Sequence, residues 1–112
     1  MDGDRRLSRA ARSILDDAST PCFFSAASVW EASIKRNSGK LPSPESTWGL
    51  LEAQGFVALE ITIAHAEAAG SLPLHHTDPF DRMLVAQAQL EGLSIMTSDP
   101  AIERYAVHVL AA

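Results

Sequence analysis

What the chain lacks narrows its class. Its 112 residues hold one cysteine, Cys22, so no internal disulfide can form, a usage that fits a reducing cytosol. Cys22 lies in an apolar, strand-like run and reads as plain core. No apolar stretch approaches the roughly 20 residues of a membrane span. The opening MDGDRRLSRA has no hydrophobic segment of the kind a secretory signal carries. Basic residues are outnumbered: 9 Lys and Arg against 14 Asp and Glu leave a net charge of −5. That suits poorly a protein that grips long nucleic acid through phosphate contacts alone. A nucleic-acid role would need a local basic patch, or bound cations to offset the acids. Internal repeats, low-complexity segments and a linker long enough to separate domains are also missing. What remains is the composition of one folded domain over residues 1–112, 46% hydrophobic and large enough for a real core.

The chain is organised around His75 to Asp99, HHTDPFDRMLVAQAQLEGLSIMTSD. Asp78 can cap a helix and Pro79 suits its first position. Phe80, Met83, Leu84, Ala86, Ala88 and Leu90 give that helix broad apolar coverage, and Gly92 stops it. Ser94 to Thr97 reads as a short buried strand ending at Ser98-Asp99-Pro100. A short connection at Gly92 sends the strand back antiparallel to the helix. The helix start and the strand end then share one edge, which brings Asp81 near Asp99, at the place where open α/β sheets carry ligand sites.

The preceding chain alternates in the same way. Ser8 can cap a helix over about 9–18 whose buried stripe is Ala10, Ala11, Ile14 and Leu15. A strand begins at Cys22-Phe23-Phe24, and Ser25 or Ala26 opens a second helix that runs to about Asn37 and stops near Gly39. Leu41 to Pro44 is a loop, followed by a helix over about 45–54, a strand from Phe56 to Ile61, and a fourth helix capped by Thr62 that carries Ala64, Ala66, Ala68 and Ala69. After Asp99 a helical turn, Pro100–Arg104, leads to a last strand, Val107–Leu110. Strands alternating with helices predict an α/β fold of three layers, a mostly parallel sheet with helices on both faces.

A third acid belongs to this picture. In SAASVWEASIK, Ser25, Ser28 and Glu31 are three apart and Lys35 follows Glu31 by four, so all line one side of the second helix. That helix also starts at a strand's C-terminal end, and Glu31 lies roughly 8 Å along it. Glu31, Asp81 and Asp99 can therefore surround one cavity. Clustered carboxylates repel, and a cation commonly relieves them. Oxygen ligands favour Mg²⁺ or Mn²⁺, and a hard cation so held suits phosphodiester hydrolysis.

Each residue has a structural reading beside the chemical one. Asp78 and Asp81 fall where acids favour a helix start, Asp99 suits a cap for the next turn, and Glu31–Lys35 is an ordinary i,i+4 pair. Arg82 can neutralise an acid or a phosphate, but reads as an exposed helix charge. His75 and His76 are adjacent in a loop, point differently and read as solvated rather than as metal ligands. Trp30 and Trp48 read as core or interface.

Taken together, SAASVWEASIKRNSGKL and LPLHHTDPFDRMLVAQAQLEGLSIMTSD resemble the PIN-domain ribonucleases, specifically the VapC-type toxins of toxin–antitoxin pairs. The likeness runs from about Gly3 to Leu110, and the ordered combination of S-x-x-S-x-x-E, DPFDR-x-x-x-A-Q-A and T-x-D is specific. In that family four acids hold Mg²⁺ or Mn²⁺ for RNA cleavage. The resemblance implies that Glu31, Asp81 and Asp99 are three of them, both catalytic and metal-binding, and that Asp78 is nearer to a structural helix start. It also implies an RNA substrate, a cognate antitoxin, a homodimer, a cytoplasmic location and no membrane partner. Family members begin with an apolar strand that ends in the first catalytic acid. This sequence is expected to lack that central strand, since Gly3 to Ser8 matches the loop beyond it and neither Asp2 nor Asp4 replaces the acid. The alternative is a non-catalytic PIN remnant that binds antitoxin or dimerises. A receiver-like signalling domain fits less well, because no Lys lies near Val107–Leu110.

Overall fold

Strands of three residues alternate with helices along the chain, as the periodicity predicts. A computed structural model describes residues 9–17, 19–39, 47–97 and 99–111. The order is α1 (Arg9–Asp16), β1 (Phe23–Ser25), α2 (Ala26–Asn37), α3 (Thr47–Ala53), β2 (Val57–Leu59), α4 (Ile63–Ser71), α5 (Pro79–Glu91), β3 (Ile95–Thr97), a 3-10 turn (Ile102–Arg104) and β4 (Val109–Ala111). Expectations on Ser8, on residues 2–7, on the loop at Leu41 to Pro44 and on Ser98 lie outside the described residues, as do the side chains of Ala10, Ala11 and Leu15.

Two compact units divide the chain. One comprises Met1–Thr20 with Ile63–Ala112, the other Pro21–Thr62. In the smaller unit β1 pairs parallel with β2, Phe23 opposite Val57. The buried Ser25 side chain caps α2 by accepting the Ala27 N–H at 3.0 Å, which satisfies one of the free amides at the helix start. Phe24 stacks on Trp48 at 5.7 Å between ring centroids. Trp30 is 60% exposed, so of the two readings, core or interface, the core one fails for it.

In the larger unit β3 pairs parallel with β4, Ile95 opposite Val109. The predicted parallel pairing is present. Among the described residues it takes the form of two separate two-stranded pairs, not one continuous sheet. The core is Val85, Ile102 and Tyr105, packed against Leu72, Ile95, Val107 and Val109. Val85 is fully buried although the apolar pattern of α5 passed over it, while Leu90, which the pattern included, is 52% exposed. Four consecutive residues, Val85 to Ala88, are buried, so α5 is covered on more than a stripe. One of them is Gln87, whose amide donates to His65 Nδ1 at 3.4 Å. His65 Nε2 in turn bonds Glu91 Oε2 at 2.8 Å. That polar chain fastens α4 to α5. A run of alanines in α4 draws attention away from His65, yet His65 is buried there together with Ala69.

Candidate metal centre

The start of α5 is fixed by its own sequence. Asp78 Oδ1 accepts the N–H groups of Phe80 (2.8 Å) and Asp81 (3.2 Å), and Pro79 occupies a position where no N–H is needed. At the other end Gly92 takes the left-handed conformation (φ 69°), and the N–H of Leu93 returns to the Ala88 carbonyl at 2.9 Å. The chain therefore turns at once into β3, which ends at Thr97, two residues before Asp99. Asp99 Oδ1 accepts the Ala101 N–H at 2.9 Å, the predicted cap of the next turn. This bond holds the Asp99 carboxyl below the usual carboxylate value; His76 lowers it further, while partial burial opposes both.

Asp81 and Asp99 meet as expected, and they meet on a third residue. His76 Nε2 lies 3.0 Å from Asp81 Oδ2 and 3.1 Å from Asp99 Oδ2. One ligand atom from each of the three residues falls within 4.8 Å of the others. The reading of His76 as solvated is therefore wrong: its side chain is 20% exposed and sits between the acids. His75, its neighbour, is exposed and packs edge-on against Tyr105, with ring centroids 5.0 Å apart. The two adjacent histidines do point differently, and the difference is what delivers one of them to the site.

Arg82 is also misread as an exposed charge. Its guanidinium donates to the carbonyls of Pro73 (3.1 Å), His76 (3.3 Å), Ala69 (2.9 Å) and Leu72 (3.0 Å), and to Tyr105 Oη (3.4 Å). Tyr105 Oη donates to the Pro73 carbonyl at 2.7 Å and accepts the His76 N–H at 3.0 Å. A planar fork with five donors can satisfy several carbonyls that a loop leaves unpaired. Arg82 uses its charge to hold the segment 72–77, not to neutralise a carboxylate or present itself to phosphate.

Glu31 lies in the smaller unit, in the second turn of α2, where its partner is Lys35 Nζ at 3.4 Å. Asp78 is a capping residue, as read. The Asp81 and Asp99 carboxylates fit a divalent cation: both are partly exposed and converge within a few ångströms, and their combined charge is the ordinary demand of an oxygen-ligated metal.

Comparison with known families decides the class. The PIN domain family model matches residues 1–108, nearly the whole chain and both of its units. The chain belongs to the PIN domain family. PIN domains are α/β folds and in general nucleases that use divalent metal ions. No curated protein and no solved structure matches the chain significantly. Among the described residues of this PIN domain, no helix is long and apolar enough to cross a membrane.

Proposed function

We propose that this PIN domain is an endoribonuclease toxin of the VapC type, dependent on Mg²⁺ or Mn²⁺ and hydrolysing RNA phosphodiester bonds. The observation that carries the reading is the convergence of the Asp81 and Asp99 carboxylates on one point. Asp81 and Asp99 would hold the cation; Glu31 is assigned to the same chemistry by its place in the family motif alone. A bound divalent cation supplies activation of water and offsets charge on the phosphoryl oxygens. The protein's own residues do the positioning. Asp81 is set by a capped first turn, and Asp99 by the Ala101 amide. Both carboxylates already converge on one point before a cation arrives, which is the condition for electrostatic preorganisation. The net charge of −5 is consistent with a site whose attraction for RNA depends on its cation.

The reading extends to partners. A cytoplasmic toxin of this type is held by a cognate antitoxin and pairs with a second copy of itself. Exposed apolar side chains on the smaller unit, Trp30 and Ile34 one helical turn apart on α2, suit a protein partner. That same surface favours the second reading, a non-catalytic PIN module that only binds antitoxin or dimerises. The test is RNA cleavage by the purified chain with Mg²⁺ or Mn²⁺, with and without chelator. Asp81→Asn and Asp99→Asn should each lower the rate on the order of 100-fold, as loss of a preorganised charge at a reacting centre does. No cleavage, or cleavage that survives chelator or both substitutions, would refute the metal-dependent nuclease reading. Antitoxin capture without cation binding would establish the binding module.

A further inference from the structure

His76 is the member of the cluster that the proposed chemistry does not require, yet its backbone and ring are both held in place. Both ring nitrogens are engaged. Nδ1 accepts the backbone N–H of Asp78 at 3.3 Å, which leaves the ring proton on Nε2, directed between Asp81 Oδ2 and Asp99 Oδ2. The backbone of His76 is clamped from both sides, its N–H by Tyr105 Oη and its carbonyl by Arg82. The ring is therefore presented to the two acids by a loop that does not depend on any cation.

A histidine that ligates a metal offers a bare ring nitrogen and donates its other N–H to a carboxylate, carbonyl or water. His76 is set up the opposite way. For Nε2 to ligate, the proton would have to stand on Nδ1, facing the Asp78 N–H, donor against donor. We propose that His76 is a placeholder and not a ligand. Its Nε2–H occupies the point between Asp81 and Asp99 that a divalent cation takes, holds the carboxylates together, and gives way when the cation enters. The inference rests on Asp81 and Asp99 being the cation ligands. It makes the occupant a hard, oxygen-seeking cation, because imidazole contributes nothing to its binding.

The test is calorimetric titration of MnCl₂ into the full chain and into its His76→Ala and Asp81→Asn variants. Removing the placeholder should tighten Mn²⁺ binding about two- to tenfold, the fold-change expected for loss of one competing hydrogen bond. Asp81→Asn should abolish it. If Asp81→Asn loses Mn²⁺ while His76→Ala weakens it, His76 is a ligand and only the placeholder is overturned. If Asp81→Asn binds as the native chain does, or if neither the native chain nor His76→Ala binds, the cation reading falls and the placeholder with it. A second measurement avoids substitution at His76 in the folded chain. Correlation of imidazole ¹⁵N with ring protons should find the His76 proton on Nε2 both before and after saturation with MgCl₂. Transfer of that proton to Nδ1 on Mg²⁺ binding would overturn the placeholder.

Discussion

The two units use apolar residues in different ways. The larger one closes Val85, Ile102 and Tyr105 into a core with Leu72, Ile95, Val107 and Val109, and ties α4 to α5 through buried His65 and Gln87. Among its described residues the smaller one buries Ser25 and Ala27 and leaves Phe23, Trp30, Ile34, Leu50, Val57 and Ile61 exposed, where the larger one exposes Ile63, Leu74 and Leu90 beside its core. Both cap their principal helix through a short polar side chain, but Asp78 satisfies two amides with a charge where Ser25 satisfies one with a hydroxyl. The better-packed unit carries the convergent acids, and the other carries surface. A site that must hold two like charges together needs rigid support, whereas a docking surface needs only to be open.

The sharpest way to break this comparison is to delete the same apolar group in each unit. Ile102→Ala, at 2% exposure, should cost about 2–5 kcal/mol by loss of transfer energy and creation of a cavity. Ile34→Ala, at 47% exposure, should stay within about 0.5 kcal/mol. Denaturant titrations of the two variants check this, and equal costs would show that the smaller unit has a core of its own. Next in size is Arg82→Ala, which strips four carbonyls and a phenol of their shared donor. It should cost about 2–3 kcal/mol and speed amide exchange in the loop before α5. An unchanged exchange rate at His76 would mean that the clamp is not needed.

The smallest effect is a titration. The Asp99 carboxyl is held below its ordinary value of 3.8 in the folded chain, first by the Ala101 amide. Its contribution to stability is therefore fully present above 3.8, and is lost as pH falls through the lower folded value. Carboxyl ¹³C shifts of Asp99 should titrate with a midpoint below 3.8 in the native chain. The midpoint should rise when proline replaces Ala101 and removes the N–H. A native midpoint at or above 3.8 would contradict the assigned bond.

Much of α5 and its surroundings could be read from the sequence because the signals are local. The Asp78 cap, Pro79 at the first position and Gly92 at the stop each act within a few residues, and each is found in the structure. The meeting of Asp81 with Asp99 followed from the short return at Gly92. What could not be read depends on contacts distant in sequence. His76 reaches Asp99 across 23 residues, and Arg82 is clamped to carbonyls as far back as Ala69, so neither role leaves a periodic trace. The adjacency of His75 and His76 even suggested solvation, since two neighbours in a loop cannot both face inward. His65 was hidden by the small residues around it, which allow α4 to approach α5 closely while the histidine takes the buried place. A polar side chain inside an alanine-rich helix is the signal that could have found it.

The claim on which the account rests is that Asp81 and Asp99 together hold a divalent cation. The most direct measurement is an anomalous-scattering map from crystals of the chain soaked in MnCl₂. A peak is expected in direct contact with both carboxylates, at coordination rather than hydrogen-bond distance, with the His76 ring displaced from between them. Density for Mn²⁺ elsewhere, or none beside these two residues at saturating concentration, would contradict it.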